Sequence, residues 1–195
     1  MTAGLLHRDL DDMRSSRKSA PVDPPLNLTP EEKRKRTFER AIKLISAKSR
    51  SVAELRERLL QGRSATKTDV DAVIDRLKEY GYLDDQRFAF SYASLKVKQR
   101  PIGRRRLERD LKFKKVDGAV ADEALELVYA ETSEEELIER AIEKRVRLKG
   151  RPKDRLAAKS LFDHLIRQGF AFELVSEKVR ALAKEDLEEP MSDTL

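Results

Sequence analysis

Polar and apolar positions alternate along this chain with a helical period. Phe38, Ile42 and Ile45 recur at spacings of four and three, which predicts a first amphipathic helix. Thr29-Pro30-Glu31-Glu32 marks its start: Thr29 is placed to cap, Pro30 suits the first turn, and Glu32 can reach back to the cap. Ser51-Val52-Ala53-Glu54 reads as a second capping box, before Leu55 and Leu59 and ahead of a stop at Gly62. A third helix is expected from about Thr66, through Val70, Val73, Ile74 and Leu77, to Gly81.

The same plan then recurs. Phe38/Ile42/Ile45 correspond to Phe88/Tyr92/Leu95 and to Ile138/Ile142/Val146. Arg50-Ser51, Arg100-Pro101 and Arg151-Pro152 each stand where a second helix is expected to begin, with Pro well suited to a first helical position. Apolar pairs four apart follow: Leu55 and Leu59, Leu107 and Leu111, Leu161 and Leu165. The aliphatic stripe of the third helix recurs as Val120/Ala124/Leu125/Val128 and as Leu174/Val175/Val179/Leu182. A fixed period of this kind predicts an all-α fold of three tandem three-helix repeats. Each unit can bury only a narrow stripe alone, so the repeats are expected to stack into an elongated, curved array of either hand. The expected divisions are a tail at 1–28, repeats at 29–83, 84–131 and 132–185, and an acidic tail at 186–195.

Composition agrees with thin cores. Hydrophobic residues make up 39% of the chain and charged residues 40%. Seven Gly and seven Pro leave little for the tight turns of an all-β fold. There is no Cys, which excludes disulfides, thiolate catalysis and Cys-based metal sites and suits a reducing cytoplasm. No secretory pattern or membrane-length apolar run is legible, so a cytoplasmic protein without membrane attachment is expected.

The net charge of +6 favours anionic partners, and its distribution sharpens that reading. One basic stretch carries Lys96, Lys98, Arg100, Arg104, Arg105, Arg106, Arg109, Lys112, Lys114 and Lys115. On a helix, Arg105, Arg109 and Lys112 share one side while Leu107 and Leu111 turn inward. A second stretch carries Lys144, Arg145, Arg147, Lys149, Arg151, Lys153, Arg155 and Lys159, in the corresponding part of repeat three. Residues 121–136 between them are acidic. Repeats stacked in register would align the two clusters as one basic strip. Arg forks match phosphate oxygens and stay charged at physiological pH. If ~5 of these residues neutralise phosphates, affinity for duplex DNA should fall with salt at a log–log slope of about −4 to −5. Few aromatics accompany the clusters, so contact with the backbone, insensitive to base sequence, is expected rather than base stacking.

Gly81-Tyr82-Leu83-Asp84-Asp85-Gln86-Arg87-Phe88-Ala89 has the form of a helix–turn–helix junction. Gly81 can end one helix in the left-handed conformation, Tyr82 and Leu83 can pack back over that end, and Asp84 or Asp85 can cap the next. Phe88 begins its buried face. This segment resembles the Gly-Tyr-Leu-Asp-Asp followed by Arg-Phe-Ala that marks the RecX family, and the likeness extends over about residues 37–185. Gly169-Phe170 stands in repeat three in place of Gly-Tyr. The resemblance implies tandem three-helix repeats, no catalytic motif, no cofactor, and a regulator that lies along a RecA recombinase–DNA filament. It implies restraint of the filament's ATP hydrolysis, strand exchange and co-protease activities in DNA repair and the SOS response. It does not assign contacts, and Gly81, Tyr82, Leu83, Asp84, Asp85, Arg87, Phe88 and Ala89 are read as mainly architectural. A monomer is expected.

Enzyme chemistry is poorly represented. His7 lies in the tail and His164 stands by itself on a helix beside Asp163. No phosphate-cradling Gly loop or nucleophile elbow occurs. Asp84 and Asp85, neighbours at a helix start, are better explained as caps than as an acid–base pair. The alternative function is a stand-alone helical nucleic-acid-binding protein.

Overall fold

The computed structural model describes residues 28–62 and 65–188, with side chains to residue 182. Among these residues there are nine helices and no strand. They are α1 (Pro30–Ala47), α2 (Val52–Leu60), α3 (Lys67–Glu79), α4 (Asp85–Gln99), α5 (Arg104–Phe113), α6 (Gly118–Glu131), α7 (Glu134–Lys149), α8 (Arg155–Gln168) and α9 (Phe172–Glu188). The expected N-terminal tail, apart from Leu28, lies outside the described residues; α9 runs three residues into the expected C-terminal tail, the rest of which also lies outside them.

Most of the local chemistry follows from the sequence. Thr29 accepts from the Glu32 N–H and Glu32 returns to the Thr29 N–H, so α1 opens on a complete capping box. Thr66, Asp84, Ser133 and Asp154 cap α3, α4, α7 and α8 by accepting one backbone N–H each with their side chains. Gly81 sits at φ +69° and sends its N–H to the Lys78 carbonyl, while the Tyr82 N–H reaches the Leu77 carbonyl.

Four local expectations are corrected. Ser51 accepts from the Glu54 N–H, but the Glu54 carboxylate turns away to Lys114, so this box is half made. Pro101 and Pro152 precede their helices; α5 begins at Arg104 behind Gly103, and α8 at Arg155 behind Asp154. Tyr82 meets the end of α3 only through an edge-to-face contact with Tyr80 and stays largely exposed, while Leu83 is buried. Leu95 is exposed, and α4 instead buries Phe88, Ala89, Ala93 and Val97. The small side chains of Ala89 and Ala93 let α4 lie close against α6, its principal neighbour.

Two cores result. Ala41, Leu55, Leu59, Val70, Val73, Ile74, Leu77 and Leu83 fill the first, between α1, α2 and α3. The second runs without a break from α4 to α9 and includes Val97, Ile102, Leu107, Leu111, Leu125, Leu137, Ile138, Leu161, Leu165 and Phe170.

The middle helices meet end to end. At the junction of α5 and α8, the N–H groups of Gly103 and Arg105 donate to the carbonyls of Gln168 and Gly169, at 3.0 and 3.1 Å. At the junction of α2 and α5, the Ser51 hydroxyl donates to the Lys114 carbonyl. In both places a helix N-terminus, short of acceptors, meets a helix C-terminus, short of donors, and the dipoles agree in direction. A carboxylate from the next unit completes each joint. Asp85, first residue of α4, accepts from the Val52 N–H at 2.8 Å. Glu134, first residue of α7, accepts from the Arg104 N–H at 3.1 Å.

Candidate nucleic-acid interface

The face in question is built on α5. Leu107 and Leu111 are fully buried, which fixes the helix rotation and turns Arg105, Arg109 and Lys112 into solvent. The Arg109 guanidinium donates through Nε to the Arg105 carbonyl one turn back and remains exposed. Beside these cations, Ile166, Gly169 and Phe170 form the floor of a shallow groove between α5 and the end of α8.

The rest of the first basic cluster is less available. Lys114 pairs with Glu54 at 2.9 Å, with side-chain exposures of only 15% and 18%, and joins α5 to α2. Lys115 pairs with Glu57 at 2.6 Å in the same joint. Arg104 bonds Glu126 at 2.8 Å, and Arg106 donates to the Arg167 carbonyl at 3.2 Å. Lys96 lies half-buried, its ammonium 5.3 Å from the Tyr92 ring centroid. Lys98 and Arg100 are exposed at the end of α4. The cluster therefore divides into a structural part at the two joints and an outward part.

The second cluster surrounds the turn between α7 and α8. Lys144, Arg147, Lys149, Arg151, Lys153 and Arg155 are exposed. Arg145 is half-buried and donates to the Ser160 hydroxyl at 3.4 Å; Lys159 pairs with Asp163 at 2.7 Å. Arg145, Lys149 and Arg151 border a shallow pocket with Gly150, Pro152 and Ser160. Burial, with help from the charges of Arg145 and Arg167, holds the His164 pKa below its usual value, so its imidazole is neutral at physiological pH.

Several shifts belong to the joints rather than to any reaction. Burial pushes the Glu134 carboxyl above its usual range, against the opposing effect of the Arg104 N–H it accepts. Burial also raises Tyr129, whose hydroxyl donates to the Ile102 carbonyl at 2.9 Å. Among the described residues, no group of three or more His, Asp or Glu is placed to hold a metal ion. No helix there is long and apolar enough to cross a membrane.

The turn between α3 and α4 is held by contacts of its own residues. Arg87 donates to the Gly81 carbonyl at 2.8 Å, Asp84 caps α4, and Phe88 and Ala89 enter the core. Asp85 does what its sequence neighbourhood did not indicate, by reaching α2. Sequence reasoning also passed over Phe113. It stands two residues, roughly 200° of helix, past buried Leu111 and so points outward, with 81% of its surface exposed. That angle was the available signal.

These features define a class: an all-helical protein whose three-helix units are joined end to end and whose second unit turns cations outward. Residues 84–125 match the family model described as "RecX, second three-helix domain". The Regulatory protein RecX of Chlorobium limicola is 32% identical over 143 residues, covering 73% of this chain and 86% of that one. That of Bacillus licheniformis is 29% identical over 142 residues, covering 73% of this chain and 53% of that one. The crystal structure of RecX from Lactobacillus salivarius superimposes with a TM-score of 0.69 at 18% identity, over 79% of this chain and 99% of that chain, and so shares its fold. The chain belongs to the RecX family of regulatory proteins. It spans only about half the length of the Bacillus licheniformis relative.

Proposed function

We propose that this protein regulates the RecA recombinase, mainly as an inhibitor, by binding the RecA–DNA filament and restraining its ATPase, strand-exchange and co-protease activities. In this reading it catalyses nothing, takes no cofactor, and acts in DNA repair and the SOS response. Family membership supplies the regulatory role. The observation that carries the DNA contact is the outward turn of Arg105, Arg109 and Lys112 on a helix whose inner face is locked by Leu107 and Leu111. Guanidinium and ammonium groups held outside the core can meet phosphates, and Arg109 can do so through its terminal nitrogens while its Nε keeps the Arg105 carbonyl. The exposed Lys144, Arg147, Lys149, Lys153 and Arg155 extend the same reading to the turn between α7 and α8.

The test is a titration of purified protein into a RecA–DNA ATPase assay at two salt concentrations. Sub-stoichiometric loss of ATP hydrolysis, weaker at the higher salt, is expected. Unchanged hydrolysis in the presence of folded, filament-bound protein would refute the reading.

A further inference from the structure

Phe is among the residue types most often buried, yet Phe113 is 81% exposed at the end of the most basic helix. The other strongly exposed rings are engaged. Tyr80 and Tyr82 pack edge to face at 6.2 Å, and Phe172 packs on Phe162 at 5.4 Å. Among the described residues no ring lies against Phe113. Its neighbour is the Lys114 ammonium, 6.0 Å from the ring centroid and tied down by Glu54.

Its position on the helix adds the second element. Arg105, Arg109 and Phe113 are four residues apart, on one side of α5, with a rise of about 6 Å per step. Lys112 is exposed beside them. This places two guanidinium groups and then a flat apolar ring along one exposed line. A phosphate chain satisfies the cations, and an aromatic face satisfies the ring. A single nucleic-acid strand offers both at once, because its bases are free to leave one another and stack on a side chain. In a duplex the base faces are already occupied, so a duplex satisfies the cations alone.

We propose that Phe113 is a stacking platform for an unpaired nucleobase, and that Arg105, Arg109 and Lys112 hold the adjoining phosphates, so that this face prefers single-stranded over double-stranded nucleic acid. The inference rests on the nucleic-acid reading of α5 given above and names the strand state it accepts. It differs from the expectation of backbone contact rather than base stacking.

The chain contains no Trp, so Phe113→Trp introduces a unique fluorophore at the site. The full-length variant is titrated with end-labelled oligothymidylate of about a dozen nucleotides, an abasic deoxyribose-phosphate oligomer of equal length, and a matching duplex. Label anisotropy reports binding and tryptophan emission reports stacking. Oligothymidylate is expected to quench the emission, while the abasic oligomer and the duplex bind without quenching. Phe113→Ala should weaken oligothymidylate roughly five- to hundredfold and leave the abasic oligomer and the duplex unaffected. Phe113→Leu, which keeps apolar bulk but no ring, should behave like Ala. Emission unchanged at saturation, or equal losses on all three probes, overturns the proposal. So does a loss of capture by DNA-free recombinase with oligonucleotide affinity intact, which would make the ring a protein contact. The recombinase ATPase titration reads the regulatory proposal separately: base-dependent quenching without ATPase inhibition would sink that proposal and leave this one standing.

Discussion

The carboxylate of Glu134 accepts a hydrogen bond from the backbone N–H of Arg104 across 3.1 Å, and so caps a helix thirty residues earlier in the chain. Helix α5 has glycine at its own cap position and no side-chain cap of its own. The acceptor its N-terminus needs comes instead from the unit that follows. Glu134→Ala should therefore destabilise the protein by up to about 1 kcal/mol, the usual worth of a cap, and by less at neutral pH, where burial opposes the charged form. Glu134→Gln, which keeps an acceptor oxygen, should cost less. Urea denaturation checks both.

The same carboxyl gives a pH dependence whose sign is fixed. Its pKa is raised from 4.5 by burial, so the folded state holds the proton more tightly than the unfolded state. Stability from this group is full below about 4.5 and is lost as pH rises through the higher folded value. Asp69 works in the opposite sense. Hydrogen bonding from Thr66, ahead of that from Arg34, lowers it from 3.8, so its contribution is present above that value and is lost as pH falls through the folded pKa. Stability measured against pH should lose the first slope in Glu134→Gln and the second in Asp69→Asn.

Gly103 and Gly169 touch through their backbones. A Cβ at Gly103 would lie 2.2 Å from the Gly169 carbonyl carbon and the Phe170 nitrogen, and one at Gly169 would lie 2.4 Å from the Arg106 nitrogen. Backbone cannot swing aside as a long side chain can. Gly103→Ala should cost about 2–3 kcal/mol, in the range of overpacked cores. Gly81→Ala meets nothing within 4 Å, and its cost should be the positive φ alone, about 1–2 kcal/mol. Thermal unfolding of the two variants separates crowding from conformational strain.

The two lysines of the α2–α5 joint should differ. Lys114 and Glu54 are largely covered, so Lys114→Ala strands a half-buried carboxylate and should cost about 2–3 kcal/mol, somewhat less than a fully buried pair. Lys115 and Glu57 are half exposed, so Lys115→Ala should cost under about 1 kcal/mol after solvent screening. Urea midpoints at matched slope are the measurement, and equal losses would contradict the burial difference.

Neutralising Arg105, Arg109 and Lys112 together to Ala should leave helicity unchanged and reduce the salt slope of duplex binding by about 2 to 3, nearly one per lost phosphate contact. Lys115→Ala, already paired inside the molecule, should leave the slope in place. Binding isotherms at several salt concentrations, with circular dichroism alongside, test the division of the cluster into outward and structural cations.

Local order alone determined the helices. Periodic apolar positions such as Leu55 and Leu59 or Leu107 and Leu111, together with caps such as Thr29, Asp84 and the left-handed Gly81, act within a turn or two of chain, and their energies are visible in neighbouring residues. The same periodicity gave the recurrence of three units and the inner face of α5. Tertiary structure decided what each charge was for. Lys114 and Arg105 look alike in the sequence, yet one closes a joint against Glu54 and the other faces solvent. The partners that settle this, among them Glu54, Asp85, Glu134 and the Gly169 carbonyl, arrive from distant parts of the chain, and an ion pair or a shared cap depends on distance in space, to which separation along the sequence is no guide.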